Sequence, residues 1–464
     1  MKKVVILVLF SIIAVMGMAT ITDLAAMIPA DSSDVFVCEN IDEVYSKLKE
    51  TVLIGTVMDT LGIEMVLKQY VEITAYNQEI DPEEIYDSFG GSVAFAFFND
   101  SDMIIIMGPV DKPDVVKETF ESIFSMVSGM TGSADVDSEI EVNGSYLFFG
   151  DLDAYASAAK GFDANLLISD NENVFAVNYL SNSDIKSKTE VSVENSTLIA
   201  KTTAELVDPA NSDLMDEIID PAGLGELIDT EHLNTGIVMF KIKSFEDYER
   251  VVNLVKENIL PILQQDGDVV DFDELEEVLG FVEEYIIDLT GSVMVDILLD
   301  TEALMSSMMP MTTSDGESLE APNPIDVVVR VGYAASEDKL KSLLDELEMK
   351  YVDEGDYLRM VPEQEEGFES ETPTFMWVDN NIAYFSLKDK PSTMNILNNS
   401  DSALESEVYY ELSDISPLTG TKFFEGFIDA GGVLGSLLGM EFDSGIYFGA
   451  SYEDNILESV FVLK

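Results

Sequence analysis

Residues 92–98 read Ser-Val-Ala-Phe-Ala-Phe-Phe, and residues 292–298 read Ser-Val-Met-Val-Asp-Ile-Leu. Successive side chains of a strand point to opposite faces. Val93, Phe95 and Phe97 therefore share one side, and Val293, Val295 and Ile297 take the matching side of the later segment. Each segment follows a glycine, so Gly91-Ser92-Val93 returns as Gly291-Ser292-Val293, an offset of 200 residues (91 to 291). A second apolar strand ending in glycine comes next in both places, over 103–108 and 327–332, an offset of 224 (103 to 327). An amphipathic helix then follows each, over 112–127 and 336–350.

Three further pairs of segments extend the correspondence. A strand followed by a helix opens each half, over 34–48 and 236–252. Alternating strands around Asp-Asn turns predict a hairpin over 165–180 and another over 374–387. Residues 218–247 resemble 427–454: Ile219-Asp220 aligns with Ile428-Asp429 and Gly236-Ile237 with Gly445-Ile446, both at an offset of 209 (219 to 428). The chain thus ends on a repeat of its second opening strand, which predicts a closing strand for the last sheet edge. The fold class expected is α+β, two tandem copies of an antiparallel sheet with helices packed on one face. The copies span 20–228 and 229–464, with sheets falling in 30–220 and 230–464, and the second copy carries an inserted loop at 301–324. Asp296 and Arg330 each interrupt an apolar strand. On neighbouring strands they would pair across the less buried face, for about 0.2–1 kcal/mol.

The first residues change the picture from fold to compartment. Lys2 and Lys3 precede an apolar run, Val4–Ala19, and Gly17 and Ala19 supply the small residues of a cleavage site. This reads as a secretory signal peptide over 1–19. The run is shorter than the roughly 20 residues of a spanning helix, and an uncleaved anchor is the alternative. No later stretch is long and apolar enough to span, so no transmembrane segment is expected after signal cleavage. Cys38 is the sole cysteine, which excludes an intramolecular disulfide.

Charge then restricts the partners. The 464 residues hold 90 Asp plus Glu against 24 Lys plus Arg, a net charge of −66. Such a surface repels nucleic acid and anionic membranes, which need positive charge to replace their counterions. It also repels itself unless salt screens it. A high-salt habitat is one reading; an acidic exported protein kept soluble by its charge is the other. The mature chain opens with Ile28-Pro29-Ala30-Asp31 and carries Gly90-Gly91 before an apolar strand. In these features it resembles a family of exported prokaryotic proteins known only as a domain of unknown function. That resemblance implies an exported α+β protein and carries no catalytic residues across.

Candidate chemistry is sparse. His232 is the sole histidine, in a polar segment, and no Gly-x-Ser-x-Gly elbow accompanies it. Ser-x-x-Lys occurs at Ser46–Lys49, Ser183–Lys186 and Ser336–Lys339 without the partner motif of a Ser-Lys hydrolase. The acidic stretch 264–277 offers Asp266, Asp268 and Glu274 as calcium ligands, but Gln264 holds the first ligand position and the turn glycine is missing. Asp271 with Glu274 reads better as a capping box. Met305, Met308, Met309 and Met311 in the insertion have the softness to bind Cu(I), yet the chain has 22 Met and methionine also fills apolar gaps. Gly431, Gly435 and Gly439 fall four apart in a short run flanked by acids, which favours a packed soluble helix or turn. Asn99, Asn143, Asn195 and Asn398 stand in Asn-x-Ser/Thr sites, which matter only where exported proteins are glycosylated. No cofactor is expected beyond weak, non-specific cation binding.

The sequence therefore predicts an exported, highly acidic, non-enzymatic binding or structural protein of the periplasm or cell surface, with a protein or envelope component as partner. Its rivals are a carboxylate-based hydrolase with a cleft between the repeats and a cation-binding surface protein.

The charge predicts that a thermal melt shifts upward as KCl rises from about 0.05 M to about 2 M, because the screening length shrinks several-fold over that range. A flat or falling melting temperature would show that self-repulsion does not limit stability. Repeating the melt with millimolar Ca²⁺ tests the 264–277 ligands separately.

Overall fold

The computed structural model describes residues 21–39, 41–61, 63–78, 82, 91–99, 101–121, 140–224, 232–233, 236–254, 280, 283–299, 325–361, 374–399, 401–402, 407–415, 417–431 and 444–464. They divide into two compact units. The first ends at Asp208 and also takes Val460–Lys464; the second runs Pro209–Ser459.

The first unit contains strands β1 (Asp34–Cys38), β2 (Ser92–Phe98), β3 (Asp102–Gly108), β4 (Ile140–Asn143), β5 (Tyr146–Gly150), β6 (Val174–Ser181), β7 (Ile185–Glu194) and β8 (Thr197–Leu206). Its helices are α1 (Ile21–Met27), α2 (Ile41–Glu50), α3 (Val52–Leu61), α4 (Ile63–Gln78) and α5 (Leu152–Ser157), with residues 113–121 also helical. Hydrogen-bonded neighbours run β4-β5-β3-β2-β1-β6-β7-β8, antiparallel at every step.

In the second unit the strands are β9 (His232–Leu233), β10 (Gly236–Lys241), β11 (Leu289–Leu299), β12 (Ile325–Tyr333), β13 (Tyr351–Asp353), β14 (Leu358–Met360), β15 (Phe375–Asp379), β16 (Ile382–Ser386), β17 (Asp401–Ser402), β18 (Thr421–Ile428) and β19 (Ile446–Glu453), and the last strand, β20 (Ile456–Leu463), crosses the division at Ser459. Its helices are α6 (Pro209–Ile218), α7 (Tyr248–Leu254), α8 (Glu337–Glu346), α9 (Lys390–Asn399) and α10 (Glu407–Ile415). The ladder order is β19-β18-β10-β11-β12-β16-β15-β14-β13, again antiparallel throughout. β9 and β17 form a separate two-stranded ladder.

This corrects the expected fold class. β20 pairs with both β19 and β8, so the strands make one 18-stranded sheet rather than two tandem ones. Nor do helices keep to one face. In the first unit Val93, Ile105, Met107, Leu147 and Phe149 pack with Val44 of α2, Ala75 of α4, and Val116 and Phe120. The opposite side of the same strands, through Ala94, Ala96, Phe98, Ile104 and Ile106, packs with Leu24 and Ala25 of α1 and with Ile28. In the second unit α8 covers one face through Leu340 and Leu344. On the other face, α9 contributes Leu397 beside Trp377, and α10 sets Tyr409 against Phe427 and Tyr447.

Double coverage also reverses which strand side is the deeper one. Ala94, Ala96 and Phe98 are 0%, 1% and 0% exposed, whereas Phe95 and Phe97 are half-buried and only Val93 of the expected set is buried. Met294 and Asp296 are likewise buried while Val293, Val295 and Ile297 are half-buried. Small residues on β2 let α1 approach closely. Full burial of Leu24 and Ile28 contributes about 1.5–3 kcal/mol each, and Ala30 N–H donates to the Ala159 carbonyl at 2.8 Å. The Ile-Pro-Ala-Asp stretch is thus a packing element.

Two segment matches are also corrected. Residues 165–180 are not a hairpin: they hold a short 3-10 turn, Ala164–Leu166, and β6. The hairpin β15–β16 instead lies next to β12 as β4–β5 lies next to β3. The segment beginning at Gly445-Ile446 becomes β19, which pairs with β18 on one side and β20 on the other and so closes no edge.

The recurring glycine has a geometric cause. Gly291 has φ +80°, and a Cβ there would fall 2.3 Å from the Ile242 carbonyl oxygen; Gly91 has φ +120° and its Cβ would fall 2.9 Å from the Gly108 carbonyl carbon. Both the conformation and the close backbone exclude a side chain. Gly291→Ala is expected to lower stability by about 1–3 kcal/mol, read as a lower urea midpoint at unchanged slope. An unshifted midpoint would refute the constraint. Among the described residues no helix is long and apolar enough to cross a membrane.

Candidate functional site

The second unit places a row of unlike side chains across five strands. Glu425 on β18 lies opposite Met239 on β10, Met239 opposite Met294 on β11, Met294 opposite Arg330 on β12, and Arg330 opposite Tyr384 on β16. The adjacent row runs Phe427, Ile237, Asp296, Val328. The first unit has the same neighbours at the same steps. Val177 lies opposite Val37, then Ala94, Ile106 and Phe148; beside them run Tyr179, Val35, Ala96 and Ile104. Asp296 therefore holds the ladder position of Ala96, at the offset of 200 residues, and Arg330 that of Ile106, at the offset of 224. Glu425 holds that of Val177. The apolar occupants are 1%, 0% and 1% exposed, and the charged ones 1%, 8% and 1%. Burial at these places is nearly the same; the chemistry is not.

Asp296 and Arg330 meet on the diagonal, since Asp296 faces Val328 and Arg330 faces Met294. A long side chain spans such a diagonal. Arg330 Nε donates to Asp296 Oδ2 and its terminal nitrogen to Oδ1, both at 2.8 Å. The sequence expected this pair on the less buried face, but it is enclosed. Both carboxylate oxygens are met by one planar fork, the strongest geometry available to such a pair. Desolvation still costs several kcal/mol per ion, so the pair is near neutral against a well-packed apolar substitute. Its removal one partner at a time is a different matter, because that leaves a buried charge uncompensated.

Glu425 forms the second centre. Its Oε1 accepts from Tyr447 Oη at 2.6 Å and from Lys422 Nζ at 3.3 Å. Burial first, and then the Glu425 charge and hydrogen bond, hold the Tyr447 and Tyr409 phenols well above the usual tyrosine range. Both remain protonated donors at any physiological pH. At the far end of the row Trp377 is fully buried and stacks on Tyr384 with centroids 5.0 Å apart. On α9, Thr393 Oγ1 bonds Ser386 Oγ at 2.8 Å.

The sequence-derived candidates fare differently. Asp266, Asp268, Glu274, Met305, Met308, Met309 and Met311 lie outside the described residues. Among the described residues no group of three or more His, Cys, Asp and Glu is placed to hold a metal. Cys38 ends β1 in a buried position, and burial with the Glu39 charge pushes its thiol up to about 12, which leaves it inert. His232 opens β9 opposite Ser402. Ser336 precedes α8, while Lys339 is ion-paired to Asp288 and not to the serine. The Glu425 centre escaped the sequence reading. Its signal was present: Glu425 stands among Phe423, Phe424 and Phe427, a charge inside an apolar strand like Asp296 and Arg330.

No protein-family model matches the chain, and neither a curated protein nor a solved structure is similar to it.

Asp296→Ala or Arg330→Ile alone is expected to cost about 3–5 kcal/mol, and the double variant, which writes the Ala96 and Ile106 pair into the second unit, is expected to be neutral or up to about 4 kcal/mol more stable than the parent. Urea midpoints of the four proteins measure this. A double variant as unstable as either single one would refute the substitution argument.

Proposed function

We propose that the chain is an exported, acidic, non-enzymatic binding or structural protein of the periplasm or cell surface, built by duplication of one α+β unit. The observation that carries this reading is the enclosed Asp296–Arg330 pair at ladder positions that are apolar in the first unit. Both oxygens of that carboxylate are committed to one guanidinium. A framework uses charge in this way, whereas a general acid or nucleophile must present a carboxylate to substrate. The matching ladder positions at offsets of 200 and 224 residues support duplication, because one displaced residue would move every side chain to the other face.

Export is supported by Lys2 and Lys3 before the apolar run Val4–Ala19. The partner is a protein or envelope component that tolerates a strongly acidic surface, not a nucleic acid or an anionic membrane. Part of the limited positive charge is spent within the chain: Lys117 pairs with Glu121, Lys188 with Glu190, Lys341 with Glu337 and Asp353, and Arg359 with Glu354. These solvent-accessible pairs, several of them half-buried, add little stability, and they leave the carboxylates in excess to face the surroundings.

Cell fractionation with N-terminal sequencing tests the reading. The expected result is a chain in the periplasmic or surface fraction that begins after Ala19. A chain found in the cytoplasm with Met1–Ala19 intact would overturn it.

A further inference from the structure

Four hairpin connections of the first unit contain an asparagine: Asn99 between β2 and β3, Asn143 at the end of β4, Asn182 between β6 and β7, and Asn195 between β7 and β8. Turn geometry explains the asparagines. Asn99 and Asn195 have φ of +45° and +49°, and Gly144 after Asn143 has +64°, a region that Asn and Gly enter most readily. Turn geometry asks nothing of the residue two places further on. Yet Asn99, Asn143 and Asn195 are followed at that spacing by Ser101, Ser145 and Thr197. The turn asparagines of the second unit, Asn380, Asn381 and Asn455, are followed by Ile382, Ala383 and Leu457.

From this placement we infer that Asn99, Asn143 and Asn195 are acceptors for N-linked glycans, so that the first unit carries sugar on three of its hairpin tips. The inference rests on the export reading, since the modification belongs to exported chains. All three asparagines are exposed. The Asn99 side-chain amide donates to Asp102 Oδ2 at 3.2 Å in an exposed position. A tip projects beyond the ladder, so a bulky glycan there disturbs no packed side chain.

The donor is an oligosaccharide carried on a lipid pyrophosphate. The asparagine Nδ2 forms a bond to the anomeric carbon, the bond from that carbon to the phosphate oxygen breaks, and the lipid pyrophosphate leaves. The amide proton passes to a base of the transferase. The transferase also reads the hydroxyl two residues on. Ser101 is exposed and Ser145 half-buried, so the sites at Asn99 and Asn143 stay readable on the folded chain. Thr197 is 1% exposed. Its hydroxyl is withdrawn once β7 and β8 close, and the Asn195 site is therefore open only earlier. Occupancy at Asn195 falls below that at the other two.

Glycopeptide mass spectrometry on the full chain, purified from the fraction of its own cells in which it resides, tests this. The expected result is a hexose-containing mass increment on the Asn99 and Asn143 peptides, a smaller occupied fraction at Asn195, and a bare Asn182 peptide. Ser101→Ala, Ser145→Ala and Thr197→Val each remove the increment from their own site while the asparagine and the turn stay in place. Bare masses at Asn99 and Asn143 on an exported chain that begins after Ala19 would overturn the inference and leave the export reading standing. A cytoplasmic chain retaining Lys2 and Lys3 would overturn both.

Discussion

In both units helices cover the two faces of the central strands, so a side chain on either side of those strands leaves water when the chain folds. This double burial governs most of what else is seen. It lets Ala94 and Ala96 be as enclosed as the large residues around them. It also means that a charge on a strand covered on both faces, such as β11, β12 or β18, turns inward and must bring its own partner or lose more than folding supplies.

The second unit carries such charges and meets the requirement in two ways. Asp296 is matched by a guanidinium that occupies both its oxygens. Glu425 is matched by a phenol and an ammonium, with a second phenol, Tyr409, raised first by burial and then by the Glu425 charge. In the first unit the same ladder positions are held by Ala96, Ile106 and Val177 and need no such matching. One backbone arrangement thus supports an apolar face in one setting and a polar one in another. The cost of the polar version is close to zero only while both partners are present. Buried ion pairs of this kind restrict which strands can be neighbours, because any other register leaves a charge unpaired. The proposed duplication would have needed both members of the pair to change together, or nearly so, in one of the two copies.

The exterior follows a different rule. Exposed carboxylates outnumber the cations that could meet them, and several of those cations pair with neighbours on their own element or hairpin. The net charge is therefore a property of the surface, and it acts on partners and salt rather than on the fold.

Alternation and spacing in the sequence determined the strands β2, β3, β11 and β12, their order, and the offsets that place Ala96 beside the position of Asp296. The hydrophobic period is local, and the glycine before each strand is forced by a backbone approach that any sequence with this turn must satisfy. Charge in the wrong place on a strand, at Asp296 and Arg330, was also legible, because an isolated ion in an apolar run calls for a partner. What only the tertiary structure decided is which side of each strand lies deepest. Val93, Phe95 and Phe97 look like a core face, yet the small residues between them are the more enclosed, since a nearby α1 needs little volume there. The single sheet was beyond the sequence for a similar reason. The pairing of β20 with both β19 and β8 joins backbone groups from distant segments, and backbone hydrogen bonds leave no trace in side-chain pattern. The Glu425 centre lay between these extremes: its charge stood out among phenylalanines, but Tyr409, Tyr447 and Lys422 become its surroundings only when α10, β18 and β19 are brought together.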